Sequence, residues 1–338
     1  MRVALIGLGM VAGTHLAAIK AAGFTLAWAM GRDRARTQDF ASDAATQLGH
    51  AVRATTDIAD IANDPDLDFA IVATPPDARS DLIGPLAQAG KPVLLEKPIA
   101  RTLAEAEALV DLCAGADAPL GIVFQVRMRA EVAALRATLP TLGPLGMVEV
   151  SVPWWRDQAY YDAPGRGTYS RDGGGVLITQ AIHTLDLMLS LAGPVRTVRA
   201  LSATTNLHRL EAEDFVSAGL TFQGGAVGHL MATTAAFPGG AERIVLHGAM
   251  GTAELTPGHL RVHMRDGTSK EVGHAAGSGG GADPMAFSHA WHQGILEDFA
   301  QALRQGRAPV APGREALRVH ALIDGIERAA ASGQEVEL

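Results

Sequence analysis

The chain has 338 residues, 48% of them hydrophobic and 19% charged, with 28 basic against 36 acidic side chains and a net charge of −8. That much apolar material supports two buried cores and excludes a disordered or fibrous chain, while the acidic balance without any dense basic run excludes nucleic acid as a partner. No stretch reaches the roughly 20 apolar residues of a membrane span, and the single cysteine, Cys113, leaves no disulfide framework and points to a reducing compartment, the cytoplasm.

Short apolar runs alternate with longer amphipathic segments over the first 125 residues, the pattern of βαβ units in a parallel sheet. Strands are expected at 2–7, 25–30, 51–54, 69–73, 92–95 and 120–125, with helices such as 11–22 and 102–114 between them. The opening run 2–6 is too short for the apolar region of a signal peptide and leads directly into a glycine turn. Beyond it, strands at 147–154, 198–203, 214–222, 226–233, 243–247, 252–255 and 260–264 are joined by short connections, which implies an antiparallel sheet. Helices are expected at 176–192, 287–305 and 315–332, and the glycine-rich stretch 275–282 reads as a mobile loop. The chain therefore reads as α/β followed by α+β. A dinucleotide-binding domain of the Rossmann type covers 1–122, and a substrate-binding and oligomerisation domain covers 123–338, with an open, mainly antiparallel sheet covered by helices on one face.

The turn Gly7-Leu8-Gly9-Met10-Val11-Ala12 sits between the first strand and the first helix. Its first glycine permits the turn, its second lets backbone approach a pyrophosphate, and the helix amino terminus faces the phosphates, so Gly7, Gly9, Met10 and Val11 are cofactor candidates. The second strand ends in Gly31-Arg32, with Asp33 two residues late for the acid that marks NAD. A small residue followed by a forked cation suits a 2′-phosphate, which favours NADP(H) over NAD(H). Thr74-Pro75-Pro76 ends the fourth strand in a rigid loop able to wall the cofactor. Glu96-Lys97-Pro98 ends the fifth, placing a lysine on the edge where such sheets hold ligands.

A second signal is Gly173-Gly174-Gly175 leading into a helix on which Thr179, His183 and Asp186 share one face at i, i+4 and i+7. Asp186 is placed to orient the His183 imidazole. Two of the four tryptophans and all three tyrosines fall between Trp154 and Tyr169. With Arg156 and Arg166 among them, Trp154, Tyr160, Arg166 and Tyr169 suit a polyhydroxylated ring. Gln125 and Arg127 follow the sixth strand and border the same pocket. His289 and His292 lack a third nearby ligand in sequence, so no metal is expected.

Taken together, the glycine turn, Ala73-Thr74-Pro75-Pro76, Glu96-Lys97-Pro98, and Gly173-Gly174-Gly175 followed by His183-x-x-Asp186 resemble the glucose-fructose oxidoreductase / inositol dehydrogenase / MocA family over essentially the full chain. The resemblance implies hydride transfer between a bound nicotinamide and a secondary alcohol or ketone of a sugar, sugar derivative or cyclitol. In that family the lysine of the tripeptide and the histidine of the helix serve the reaction, which implies Lys97 at the substrate oxygen and His183 moving its proton. A cis bond before Pro98 is also implied, and Thr179 stands where many members carry a carboxylate. Glu96 is grouped with Lys97 at the cofactor. Alternatives are a sugar-processing enzyme that keeps its nicotinamide bound and uses transient oxidation and elimination, and a non-catalytic cofactor- or sugar-sensing protein. The uncovered sheet face implies a homodimer or homotetramer.

Overall fold

The computed structural model describes residues 1–274 and 288–338, and the loop expected at 275–282 lies outside the described residues. In chain order, β1 (Arg2–Ile6), α1 (Ala12–Ala21), β2 (Thr25–Met30), α2 (Arg34–Leu48), β3 (Arg53–Thr55), α3 (Ile58–Ala62), β4 (Phe69–Val72), α4 (Ser80–Gln88), β5 (Val93–Glu96), α5 (Leu103–Gly115) and β6 (Leu120–Val123) alternate as the sequence implies. The six strands form a parallel sheet in the order β3-β2-β1-β4-β5-β6. Strands covered on both faces must be apolar throughout, and Val3 to Ile6, Phe69 to Val72 and Val93 to Leu95 are all buried. The strand order reverses between β1 and β4, the place where sheets of this kind open a ligand crevice.

The chain continues through α6 (Ala130–Thr138), β7 (Leu145–Pro153), α7 (Gln158–Tyr161), α8 (Ile182–Ala192), β8 (Val195–Ala203), β9 (Phe215–Phe222), β10 (Val227–Thr233), β11 (Arg243–Gly248), β12 (Gly251–Thr256), β13 (His259–Met264), β14 (Ser269–Gly273), α9 (Ala290–Gln305), α10 (Gly313–Ser332) and β15 (Val336–Glu337). Among the described residues these strands make a nine-stranded sheet in the order β14-β13-β12-β11-β7-β10-β9-β8-β15. It is antiparallel except where β7 and β10 run side by side. One face is apolar: Val148, Val150 and Val152 alternate inward from β7, as do Val216, Ala218, Leu220 and Phe222 from β9, and α8 packs on β7 and β11. The strands β14 and β15 were not expected from sequence. The first is polar and mostly exposed and the second has only two residues, so neither carries a hydrophobic alternation to detect.

The chain divides into two compact units, the first holding Met1–Ala100, Ala104–Gln125 and Ser288–Leu317, the second Arg101–Leu103, Val126–Phe287 and Arg318–Leu338. The single sequence boundary at 122/123 is thus replaced by a division in which a late segment returns to the first unit. The cause is packing. Buried Ile295, Leu296 and Phe299 line one side of α9, and the Phe299 ring stands edge-on to Phe69 at 5.2 Å. Gly121 leaves the room this needs, since a Cβ there would lie 2.7 Å from the Phe299 ring. The Ile122 amide donates to the Ala311 carbonyl at 2.9 Å, extending the bond between segments to the backbone.

Candidate active site

In the first unit, the loops after β1, β4 and β5 share the carboxyl edge of adjacent strands. Gly7 has φ of +96°, and a Cβ on it would lie 2.7 Å from the Ala73 carbonyl carbon, so only glycine lets the first loop press against the end of β4. Gly9, by contrast, faces open space. The helix α1 starts without a side-chain cap, which leaves its positive end to an anion. The Thr74 hydroxyl is buried with no hydrogen-bond partner, a cost of about 1–3 kcal/mol that a polar ligand relieves. A glycine cradle, an uncapped helix start and an orphaned hydroxyl on one edge fit the dinucleotide expected here.

Where the ribose-reading position falls, a Cβ on Gly31 would lie 2.6 Å from the Thr37 hydroxyl in the first turn of α2, which favours a glycine there. Asp33 caps α2, accepting from the Arg36 amide at 2.8 Å. Arg32 is exposed.

The peptide bond between Lys97 and Pro98 is cis. Just before it, Glu96 turns inward, 8% exposed. One carboxylate oxygen lies 2.9 Å from His15 Nε2 and 3.6 Å from His292 Nε2, and the other accepts from the Lys97 amide at 3.2 Å. Bonds from the two histidines hold the carboxyl well below the usual range against the opposing effect of burial. Arg79, buried beside it and lowered to about 10 by that burial, donates to the Thr74 carbonyl at 2.9 and 3.1 Å and to the Ile99 carbonyl at 3.2 Å. His15, Glu96 and His292 therefore supply three ligand-capable atoms within 4.8 Å of one another, which the sequence reading of His292 did not anticipate. The carboxylate already accepts from its histidines, and the charges of Arg79 and Lys97 act on the same cluster. A divalent cation added beside that carboxylate would be opposed by both of these positive charges, so the cluster is read as a hydrogen-bonded assembly.

In the second unit, Gly173 admits the backbone of Arg101 and Gly175 that of Glu213. A Cβ on Gly175 would lie 1.8 Å from the Glu213 carbonyl oxygen, and the Glu213 carboxylate accepts from the Gly175 and Leu177 amides at 3.0 Å each. Residues Leu177–Ala181 then form a π turn ahead of α8. Its i→i+5 spacing moves Thr179 off the i, i+4 line assigned to it from sequence. The Thr179 hydroxyl donates to the Gly175 carbonyl at 2.5 Å and meets the Gln180 side-chain amide. That amide reaches the Tyr160 hydroxyl at 3.3 Å, which Arg166 also approaches at 2.7 Å. Tyr160, Arg166, Thr179 and Gln180 are thus one polar chain, and the sequence reading missed only Gln180. His183 is the second residue of α8 and half-buried.

Other expected residues are placed differently. Both Asp186 oxygens accept from Arg127, each at 2.7 Å in a buried fork. This gives the carboxylate a partner other than the imidazole it was expected to orient, and it engages the Arg127 guanidinium inside the unit. Trp154 stacks under Arg156 at 5.3 Å and its indole nitrogen is buried without a partner, whereas Tyr169 is 48% exposed. Gln125 lies in the first unit, in a 3-10 turn after β6, with its side-chain oxygen buried and unpaired. Arg79, His15, Glu213 and Glu327 were not singled out from sequence, and the bonds that reveal His15 and Glu213 span 81 and 36–38 residues.

Residues 1–124 match the model of the oxidoreductase family with an NAD-binding Rossmann fold, and residues 139–254 match the GFO/IDH/MocA C-terminal domain. The D-apiose dehydrogenase of Paraburkholderia graminis is 28% identical over 80% of this chain and 73% of its own length. The inositol 2-dehydrogenase of Rhizobium meliloti is 26% identical over 81% of each. Among solved structures, the WlbA dehydrogenase from Bordetella pertussis, in complex with NADH and UDP-GlcNAcA, superposes with a TM-score of 0.81 at 28% identity, covering 100% of this chain and 98% of that one.

A pH dependence follows from Glu327, which burial, reinforced by Glu213 and Asp324, raises from 4.5 to about 7. Because the folded state favours the protonated acid, the stabilisation is complete below the unfolded value and is lost as pH rises through the folded one. The loss amounts to about 3 kcal/mol. Glu327→Gln is expected to flatten stability between pH 5 and 8 in urea unfolding, and an unchanged slope would contradict the assignment.

Proposed function

Because the chain belongs to the Gfo/Idh/MocA family of oxidoreductases, we propose that it moves a hydride between a nicotinamide dinucleotide and a secondary alcohol or ketone of a sugar, sugar derivative or cyclitol. The observation that carries this reading is the place of Lys97, on the strand edge it shares with the Gly7 turn and Thr74. When bound, the dinucleotide supplies the hydride exchange itself. Gly7, Gly9, Met10, Val11, Thr74, Pro75 and Pro76 hold it. The Lys97 ammonium donates to the reacting oxygen and stabilises its developing charge. His183 takes the hydroxyl proton in oxidation and returns it in reduction, work suited to an imidazole near neutrality. With Thr179 tied to the Gly175 carbonyl, His183 exchanges that proton with solvent rather than with a carboxylate one turn before it. The chain of Tyr160, Arg166 and Gln180 offers donors and acceptors to ring hydroxyls, and the apiose and inositol dehydrogenases among its relatives support that substrate class. A place in the cytoplasm is our reading for a chain whose single cysteine, Cys113, is free.

A panel of aldoses, sugar acids and cyclitols, each with both cofactors and followed by reduced-nicotinamide absorbance, tests the activity. On the substrate it reveals, Lys97→Met and His183→Ala are each expected to cut turnover at least about a hundredfold, with Thr179→Ala costing less. Near-normal turnover in His183→Ala would leave the histidine a packing residue, and a reaction with no net change in absorbance would favour the elimination chemistry.

For cofactor choice we favour NADP(H): Asp33 is engaged as a helix cap while Arg32 is exposed beside Gly31. Arg32→Ala is expected to weaken NADP(H) binding much more than NAD(H) binding. Tighter binding of NAD(H) by the unaltered protein would reverse the assignment.

The face of the nine-stranded sheet opposite α8 carries Leu201, Val227 and Met147 beside a ladder in which Glu149 accepts from Arg243 and His247, and Arg261 pairs with Glu271. Charges already paired cost less to cover. A homodimer or homotetramer through this face is expected, and a monomer in sedimentation at micromolar concentration would exclude it.

A further inference from the structure

We propose that Glu96, gripped by His15 and His292 and sharing its buried surroundings with the Arg79 charge, is the anchor of a buried positioning assembly that fixes the Lys97 turn and keeps the Lys97 ammonium charged. The proposal rests on the catalytic reading of Lys97 and adds to it the residues that act through that lysine.

The geometry is confined to the first unit. His15 comes from α1, Glu96 from the end of β5 and His292 from α9, and the two imidazoles meet edge-on with ring centres 5.1 Å apart. Both histidines are 1% exposed. One carboxylate oxygen takes the histidines and the other takes the Lys97 amide, so the backbone on which the lysine is mounted is bonded to the assembly. Beyond Pro98, the Ile99 carbonyl is held by Arg79, which also holds Thr74 in the neighbouring loop. The lysine turn is therefore clamped before and after, by two different side chains whose own charges are opposite.

Charge balance gives the assembly its second role. The charged groups facing the cluster are Glu96, Arg79 and Lys97, with Asp77 acting on Arg79. Burial keeps His292 below its ordinary value, Glu96 pulls the other way, and His15 and Lys97 reinforce the lowering, so this imidazole contributes a hydrogen bond and not a second positive charge. Glu96 is then the buried negative charge that offsets the cations acting on the cluster, with Asp77 also acting on Arg79. Losing it removes a negative charge that acts alongside both Arg79 and Lys97, and Lys97 is the one of the two that releases a proton readily.

The chain contains only four lysines, Lys20, Lys91, Lys97 and Lys270, which permits a direct measurement without a substrate. Reductive methylation of the full-length protein with carbon-13 formaldehyde gives one dimethyl-lysine signal per site, and loss of a signal in Lys97→Arg identifies the one from Lys97. In Glu96→Gln, which keeps the shape and an acceptor but removes the charge, the Lys97 signal is expected to titrate about one pH unit or more below that of the unaltered protein. The signals of Lys20 and Lys270 should not move. If Glu96→Gln does not fold, His292→Gln, which retains a side-chain N–H, is expected to keep the unaltered titration while His292→Phe lowers it. Unchanged Lys97 titration in Glu96→Gln, or in His292→Phe when that variant is needed, would overturn the proposal. Failure of the catalytic reading is separable: Lys97→Met would then turn over normally whatever the titration of Lys97 shows.

Discussion

An ionised carboxylate inside a protein is tolerated only where donors and compensating charge surround it, and the burial of Glu96 imposes that requirement on the whole first unit. Its donors come from the first helix, from the residue after it and from α9 near the other end of the chain. This explains why a segment that follows the second sheet in sequence is built into the first. Phe299 and Gly121 supply the apolar part of the same attachment, so the polar centre and the packing around it agree about where α9 belongs. The strand edge that carries the glycine turn and the lysine is consequently backed by a rigid floor.

The second unit solves a comparable problem by removing side chains. Gly175 lets Glu213 come against the turn that leads into the helix bearing His183, and the Glu213 carboxylate takes the amides of Gly175 and Leu177. The cost is an accumulation of acids: Glu213 and Glu327 are both raised by burial, and both act on Tyr169. The π turn that follows re-aims Thr179 and Gln180, and the aromatic segment is fastened to it through Tyr160. Tyr161 is fixed in turn through Thr234 at 2.6 Å, and His208 through Asp214 at 2.7 Å, so the segment is held by bonds at two of its three tyrosines, Tyr160 and Tyr161.

Membership of the oxidoreductase family and the geometry of the strand edge point the same way, yet they concern different links in the argument. The family match speaks for the chemistry that the two domains support. The structure speaks for which side chains of this chain are available to it. Arg127 and Asp186 illustrate the difference: sequence position set Arg127 at the pocket border and helix spacing set Asp186 beside His183, and the structure joins the two side chains in one buried fork.

What the sequence determined by itself was everything encoded over short distances: the alternation of βαβ units, the glycine turn after β1, the lysine at the end of β5, the inward alternation of the second sheet and the aromatic run before the glycines. Periodicity and turn chemistry are local properties, and local properties survive in a linear reading. Tertiary structure alone decided the partners of the polar groups. His15 and Glu96 are 81 residues apart and Arg127 and Asp186 are 59 apart, and no pattern in either neighbourhood announces the other. The return of 288–317 to the first unit, the two short polar strands at the sheet edges and the π turn at Thr179 were hidden for the same reason. Each is settled by which surfaces remain to be covered, or which buried charge remains to be satisfied, once the rest of the chain has folded.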